Sequence, residues 1–307
     1  MGKHHDHSHD GHHHAPAGGS FNAAFAIAIT LTLGYTLIEA GYGFYAHSMS
    51  LLADSVHNLG DSLGLILAWI ANWLLTFPAK KRYSYGFKRT SIFAALANAF
   101  ILVSTSVLIG YEAIRKLFNL STVDENVIIV VGIIGILVNV GSSLLFMRGA
   151  KDDINIKGAF LHLMGDALIL GGVVVAAIII HYTNWLWLDP VMGIMIVGIV
   201  LWGTWGLLHD SVSLMLDGVP RHIDQSGVRK YLESYDGITA IHDLHIWGLS
   251  TREVALTAHA IMPTKTLTDA DHKKIGMVLH EQFKINHITI QVESGSADDP
   301  CIRSEKC

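Results

Sequence analysis

Apolar residues fill six long runs in the first two-thirds of the chain, at approximately 21–45, 51–76, 91–117, 126–147, 158–181 and 187–209. Each is close to the roughly 20 residues that carry a helix across the hydrocarbon of a bilayer. The run 126–147 contains no ionisable residue. A helix in water needs a polar face, and a helix in lipid does not. The pattern predicts six transmembrane α-helices. From about residue 210 the chain reads as a soluble domain. Asp217-Gly-Val-Pro220 is a short stop, followed by an amphipathic stretch at 225–235 and β-like runs at 238–249 and 253–262. A helical stretch at 268–284 and a strand at 287–293 complete an α-β-β-α-β order, a small α+β domain. The organisation expected is a disordered His-rich tail over 1–20, a six-helix membrane domain over 21–209, a cytosolic domain over 210–294 and a Cys-containing tail over 295–307.

Composition agrees with a membrane protein. Charged residues make up 15% and hydrophobic ones 51%, with mean hydropathy +0.41, whereas soluble domains carry about 25% charged residues. A formal net charge of −5 points to no nucleic-acid partner. The two cysteines, Cys301 and Cys307, both fall in the last seven residues, which excludes a disulfide-built fold. Of nineteen histidines, seven precede residue 15. Their tract is broken by Asp, Ser and Gly, and it reads as a metal-collecting tail, with an expression tag as the alternative. Five basic residues lie between the second and third runs, and Arg148, Lys151 and Lys157 lie between the fourth and fifth. Only Arg115 and Lys116 fall on the opposite side. The positive-inside rule then places both termini in the cytoplasm. The lack of a targeting segment favours a bacterial inner membrane.

The chemistry lies in two copies of one spacing. His57 and Asp61 sit in the second run, His162 and Asp166 in the fifth. Residues i and i+4 share a helix face, so each helix offers an imidazole nitrogen and a carboxylate oxygen to one point. Two such helices face to face make an N2O2 site suited to Zn²⁺. Buried aspartates cost about 2.5–3.5 kcal/mol each at a helix centre, so two identical pairs are hard to explain without an ion. Asp54, one turn before His57, reads as an acceptor that orients the imidazole or as the lining of an approach path. Asn58 and Asn139 read as hydrogen-bond partners between helices, and Glu39 as a carboxylate reaching the interface, with a part in a water-filled outer vestibule as the alternative. In the cytosolic part the candidate metal ligands are His242, His259, Glu293 and Cys301. His242 and His245 are three apart, so in a regular strand they face opposite ways. His242 can instead meet His259 on a neighbouring strand. A zinc protease is excluded because His280-Glu-Gln-Phe-Lys284 lacks the second histidine of HExxH. No enzyme is expected.

The stretch Ser48-Met-Ser-Leu-Leu-Ala-Asp-Ser-Val-His-Asn-Leu-Gly-Asp61 and His162-Leu-Met-Gly-Asp166 resemble the cation diffusion facilitators. So do Tyr85-Gly-Phe-Lys-Arg89, Leu216-Asp-Gly-Val-Pro220 and His242-Asp-Leu-His-Ile-Trp247. The likeness runs over about 21–294, closest to bacterial zinc and zinc–cobalt–cadmium exporters and related eukaryotic zinc transporters. It implies a homodimer whose protomers export Zn²⁺ in exchange for H⁺, with a ferredoxin-like cytosolic domain that binds metal and helps dimerise. The two His and two Asp resemble the zinc-preferring type. Two positions depart from the pattern. Lys88 stands where some members place a loop histidine, and Asn286 stands where vesicular zinc transporters have a ligand histidine. Neutral imidazoles bind metal and protonated ones do not, so Zn²⁺ and H⁺ compete for one site. The expected function is proton-coupled Zn²⁺ export by alternating access. The alternatives are a broader Zn²⁺/Cd²⁺/Co²⁺ exporter and a membrane metal sensor that binds without transporting.

Overall fold

The computed structural model describes residues 20–147 and 154–295. The His-rich tail, Arg148, Lys151, Cys301 and Cys307 lie outside the described residues. Six long helices come first: α1 Ser20–Tyr45, α2 Met49–Leu75, α3 Thr90–Phe118, α4 Glu125–Phe146, α5 Ile154–Thr183 and α6 Leu188–Met215. They follow the six apolar runs to within a few residues. The largest difference is at the end of α6, expected near 209 and observed at Met215. No residue in 210–215 stops a helix. The stop comes at Asp217, in the left-handed region at φ 59°, followed by Gly218.

Among the described residues, five helices are long and apolar enough to cross a membrane: α1 from Ile27, α3, α4, α5 from Ile156, and α6. The remaining one, α2, is of similar length but carries Asp54, His57, Asn58 and Asp61 within its first half. Large apolar side chains such as Trp69, Phe118, Leu168 and Trp202 lie exposed on these helices. Water does not tolerate an apolar surface of that extent, and lipid does.

The described residues form two compact units, one within Met1–Asn58 and Arg115–Gly193, the other within Leu59–Ile114 and Ile194–Cys307. The first holds α1, the start of α2, α4, α5 and the first turns of α6. Small residues let its helices approach. A Cβ on Gly132 would stand 2.5 Å from Val174, and one on Gly135 would stand 2.2 Å from the Tyr35 hydroxyl. The start of α2 is capped by a residue far away in sequence. Asp189, in the first turn of α6 and 1% exposed, accepts from Ser48 Oγ at 2.6 Å, Met49 N at 2.7 Å, and Ser50 N at 3.3 Å and Oγ at 2.7 Å. The ammonium of Lys116 lies 3.7 Å from the same carboxylate. One carboxylate thus satisfies the free N–H groups of a helix start inside an apolar bundle. Asp189→Ala leaves these donors buried without an acceptor and is expected to cost about 3 kcal/mol. A fall of several degrees in apparent melting temperature in detergent checks this, and an unchanged temperature refutes it.

In the second unit, Gly60 and Gly64 of α2 lie against Leu102 and Asn98 of α3, and Gly110 of α3 lies against Val197 of α6. The soluble part follows with α7 Gln225–Glu233, β1 Ala240–Gly248, β2 Val254–Ile261, α8 Asp269–Phe283 and β3 His287–Glu293. The sheet order is β1-β2-β3, with β1 antiparallel and β3 parallel to β2. A parallel neighbour needs a crossover, and α8 supplies it. Val228 and Leu232 of α7 and Ile275 and Leu279 of α8 join Leu256, Ala258 and Ala260 of β2 in one core. Residues 257, 259 and 261 of β2 alternate onto the other, less buried face. This is the α-β-β-α-β order read from the sequence.

Candidate metal centre

On α2 and α5, one carboxylate faces two imidazoles. Asp166, 4% exposed at its side chain, places Oδ1 3.7 Å from His57 Nε2 and Oδ2 3.7 Å from His162 Nε2. The two rings stand edge to face with centroids 6.0 Å apart. A gap of 3.7 Å is too long for a good hydrogen bond. It suits two donors that share one ion through bonds of about 2.0–2.2 Å each. Asp61 follows His57 by one turn of α2, as the i, i+4 spacing requires.

A polar chain continues on the Tyr35 side of the same bundle. Asn58 Nδ2 donates to Asp54 Oδ2 at 3.0 Å, and the Tyr35 hydroxyl lies 3.0 Å from Glu39 Oε1 and 3.2 Å from the Val131 carbonyl oxygen. Asp54 and Glu39 are wholly buried, so Glu39 does not reach the interface as its late position in the first run suggests. It lies instead inside the bundle, where Tyr35 donates to it. Asn58 pairs within its own helix and not between helices. The Asn139 amide is also buried, and neither of its polar atoms has a hydrogen-bond partner among the described residues. Its expected bond to a neighbouring helix is not made among the described residues. Tyr35 and Asp189 had no signal in the sequence pattern, since each takes its role from a distant contact.

The three-stranded sheet holds a second cluster. His242 and His259 are cross-strand partners with ring centroids 5.1 Å apart. Glu293 joins them, with Oε2 3.1 Å from His242 Nε2 and Oε1 2.8 Å from His259 Nδ1. Their ligand atoms all lie within 4.8 Å of one another. The strand is not regular here. His242 pairs with His259 and His245 with Thr257, so β1 holds one extra residue. Asp243, at φ 51°, occupies the bulge. That residue shifts the alternation, and His242 and His245 lie on the same face, against the expectation for a regular strand. Asp243 sets Oδ1 2.9 Å from His245 Nε2 and Oδ2 3.5 Å from His259 Nε2. Asn286 is taken up by the sheet, its Oδ1 accepting from Val254 N at 3.0 Å.

A family model described as the cation efflux transmembrane domain matches residues 25–216, and one described as the cytoplasmic domain of cation efflux proteins matches residues 220–295. The chain is 35% identical over 288 residues to a cadmium, cobalt and zinc/H(+)-K(+) antiporter of Bacillus subtilis, covering 92% of each chain. It is 31% identical over 291 residues to the zinc transporter ZitB of Escherichia coli, covering 94% of this chain and 92% of that one. The metal-bound C-terminal domain of the CzcD transporter from Cupriavidus metallidurans is 32% identical, with TM-score 0.21, covering 23% of this chain and 99% of that domain.

Proposed function

The chain belongs to the cation efflux family, the cation diffusion facilitators, and from that premise we propose that it exports Zn²⁺ from the cytosol in exchange for H⁺. It is an integral membrane metal transporter and not an enzyme. The observation that carries the finer reading is the single carboxylate of Asp166 set between His57 and His162. With Asp61 it supplies two nitrogens and two oxygens, the set that Zn²⁺ takes in tetrahedral coordination. Zn²⁺ is the cargo. It loads when both imidazoles are neutral and leaves when protons take their place. Access alternates between the two faces of the membrane. The buried Glu39 and Asp54 extend the polar path beyond the site. The loop charges favour cytoplasmic termini in a bacterial inner membrane, and the cytoplasmic-domain match supports a homodimer.

Zinc flux into proteoliposomes, followed with an enclosed zinc dye while the proton gradient is varied, tests this reading. Flux that needs the gradient supports it, and zinc binding without flux would make the protein a sensor. Cd²⁺ and Co²⁺ run beside Zn²⁺ decide the broader-exporter alternative, which the name of the Bacillus relative favours.

The His242–His259–Glu293 cluster is proposed as a cytosolic metal site apart from the transport path. It offers two imidazoles and a carboxylate, a donor set that zinc accepts. His259→Ala in the full-length protein is expected to remove one tightly held Zn²⁺ per protomer, measured by equilibrium dialysis and elemental analysis. An unchanged zinc content would reject this site.

A further inference from the structure

One buried acidic pair stands outside the zinc set of His57, Asp61, His162 and Asp166. Glu39 of α1 and Asp54 of α2 are both 0% exposed, and their carboxyl groups lie within hydrogen-bond reach of each other. On each, one oxygen is taken by a neutral donor. The Tyr35 hydroxyl donates to Glu39 Oε1 at 3.0 Å, and Asn58 Nδ2 donates to Asp54 Oδ2 at 3.0 Å. The other two oxygens, Glu39 Oε2 and Asp54 Oδ1, are buried with no N–H or O–H to bond them among the described residues.

Basic side chains do not answer the pair. Helices α1, α2 and α4 contain no lysine or arginine, and the one lysine of α5, Lys157, lies in its first turn. The titratable groups facing the pair are Tyr35, His57 one turn further along α2, and Asp166 of α5. From α4 comes the Val131 carbonyl, which accepts from Tyr35 at 3.2 Å. Two ionised carboxylates are acceptors and cannot bond each other. Away from water and without a counter-charge, two that touch share one proton instead. With that proton on Glu39 Oε2, its O–H donates to Asp54 Oδ1, and one hydrogen satisfies both leftover oxygens.

We propose that Glu39 and Asp54 hold one exchangeable proton between them, a proton site of the exporter separate from its zinc ligands. The site rests on the zinc-for-proton exchange proposed above. Zn²⁺ bound one helix turn from Asp54 brings two positive charges, which at low dielectric weigh against a neighbouring proton. The O–H bond breaks, the proton leaves to water, and two carboxylates face the metal. When Zn²⁺ departs, a proton re-forms that bond. Its way in is a groove of about 420 Å³ between α1 and α4, lined by Asp124 and Asn126 where α4 begins and by Tyr35 further along. The pair contributes one proton per zinc in addition to any displaced from the imidazoles.

The purified full-length protein tests this. Isothermal titration with Zn²⁺ in buffers of different ionisation enthalpy counts the protons released at saturation. At about pH 8 a free imidazole is almost wholly neutral and has little proton to give. Glu39→Gln keeps a donor towards Asp54 but has no proton to lose. It should bind as much zinc as wild type and release about one proton fewer per protomer. Zinc sites elsewhere in the chain contribute equally to both proteins and cancel. Infrared difference spectra of the wild type, which need no variant, should show a protonated-carboxyl C=O band lost on adding zinc. Equal proton release from Glu39→Gln and wild type, or no such band, overturns the inference. Failure of the exchange reading would show separately, as wild-type zinc flux indifferent to a proton gradient.

Discussion

Asp166→Ala should lower zinc flux in proteoliposomes by at least about 100-fold. Its carboxylate faces both imidazoles, at 3.7 Å each. Removing it takes away one of the two anionic ligands of the proposed site and leaves the two imidazoles with Asp61 as the remaining carboxylate. Loss of one ligand at a four-donor site costs on the order of 3 kcal/mol, about 100-fold in affinity. Little flux survives that at micromolar zinc. Asp166→Asn keeps the shape and one oxygen, so it separates charge from packing and should retain no more than a tenth of the activity. A normal melting temperature for both variants shows that the bundle is intact. Flux within twofold of wild type would remove Asp166 from the proposed site.

His57→Gln is the second large effect, and its signature is pH. A free imidazole titrates near 6.5 and binds metal only when neutral. As pH falls through that range on the loading side, protons occupy the nitrogen and apparent zinc affinity drops, approaching tenfold per pH unit for each such histidine. Wild-type loading should therefore weaken steeply from pH 7.5 to 5.5. Gln offers an oxygen of similar reach that does not titrate. His57→Gln should lose roughly 10- to 100-fold in zinc affinity and show a flatter pH dependence, with His162 supplying the remainder. Isothermal titration across that pH range reads both quantities. A variant with the wild-type pH slope would show that His57 is not where protons and zinc compete.

How far the sequence can be read differs from element to element. The helices were legible because lipid allows no other backbone solution for a long apolar run. The paired spacing of His57 with Asp61 and His162 with Asp166 was legible because it is local, within one turn of one helix. His242 and His259 as cross-strand partners also followed from the strand pattern. The phase of β1 was not legible. The extra residue at Asp243 moves His245 onto the face of His242, and bulges carry no reliable mark in an alternating pattern. Glu39 was misplaced for a related reason. Position along a helix gives depth, while burial depends on which neighbour the face meets.

By itself, the sequence determined the class of protein, the six apolar helices, the α-β-β-α-β domain and the two helix turns that each pair a histidine with an aspartate. Each of these follows from local periodicity or composition, where the forces act over a few residues. Only the tertiary structure decided that Asp166 lies between two imidazoles, that Asp189 caps a helix some 140 residues away, and that Lys88 pairs with Glu253. Those contacts join distant segments. Small residues at crossings and one strand bulge help set the tertiary geometry, and neither is written at the positions that meet.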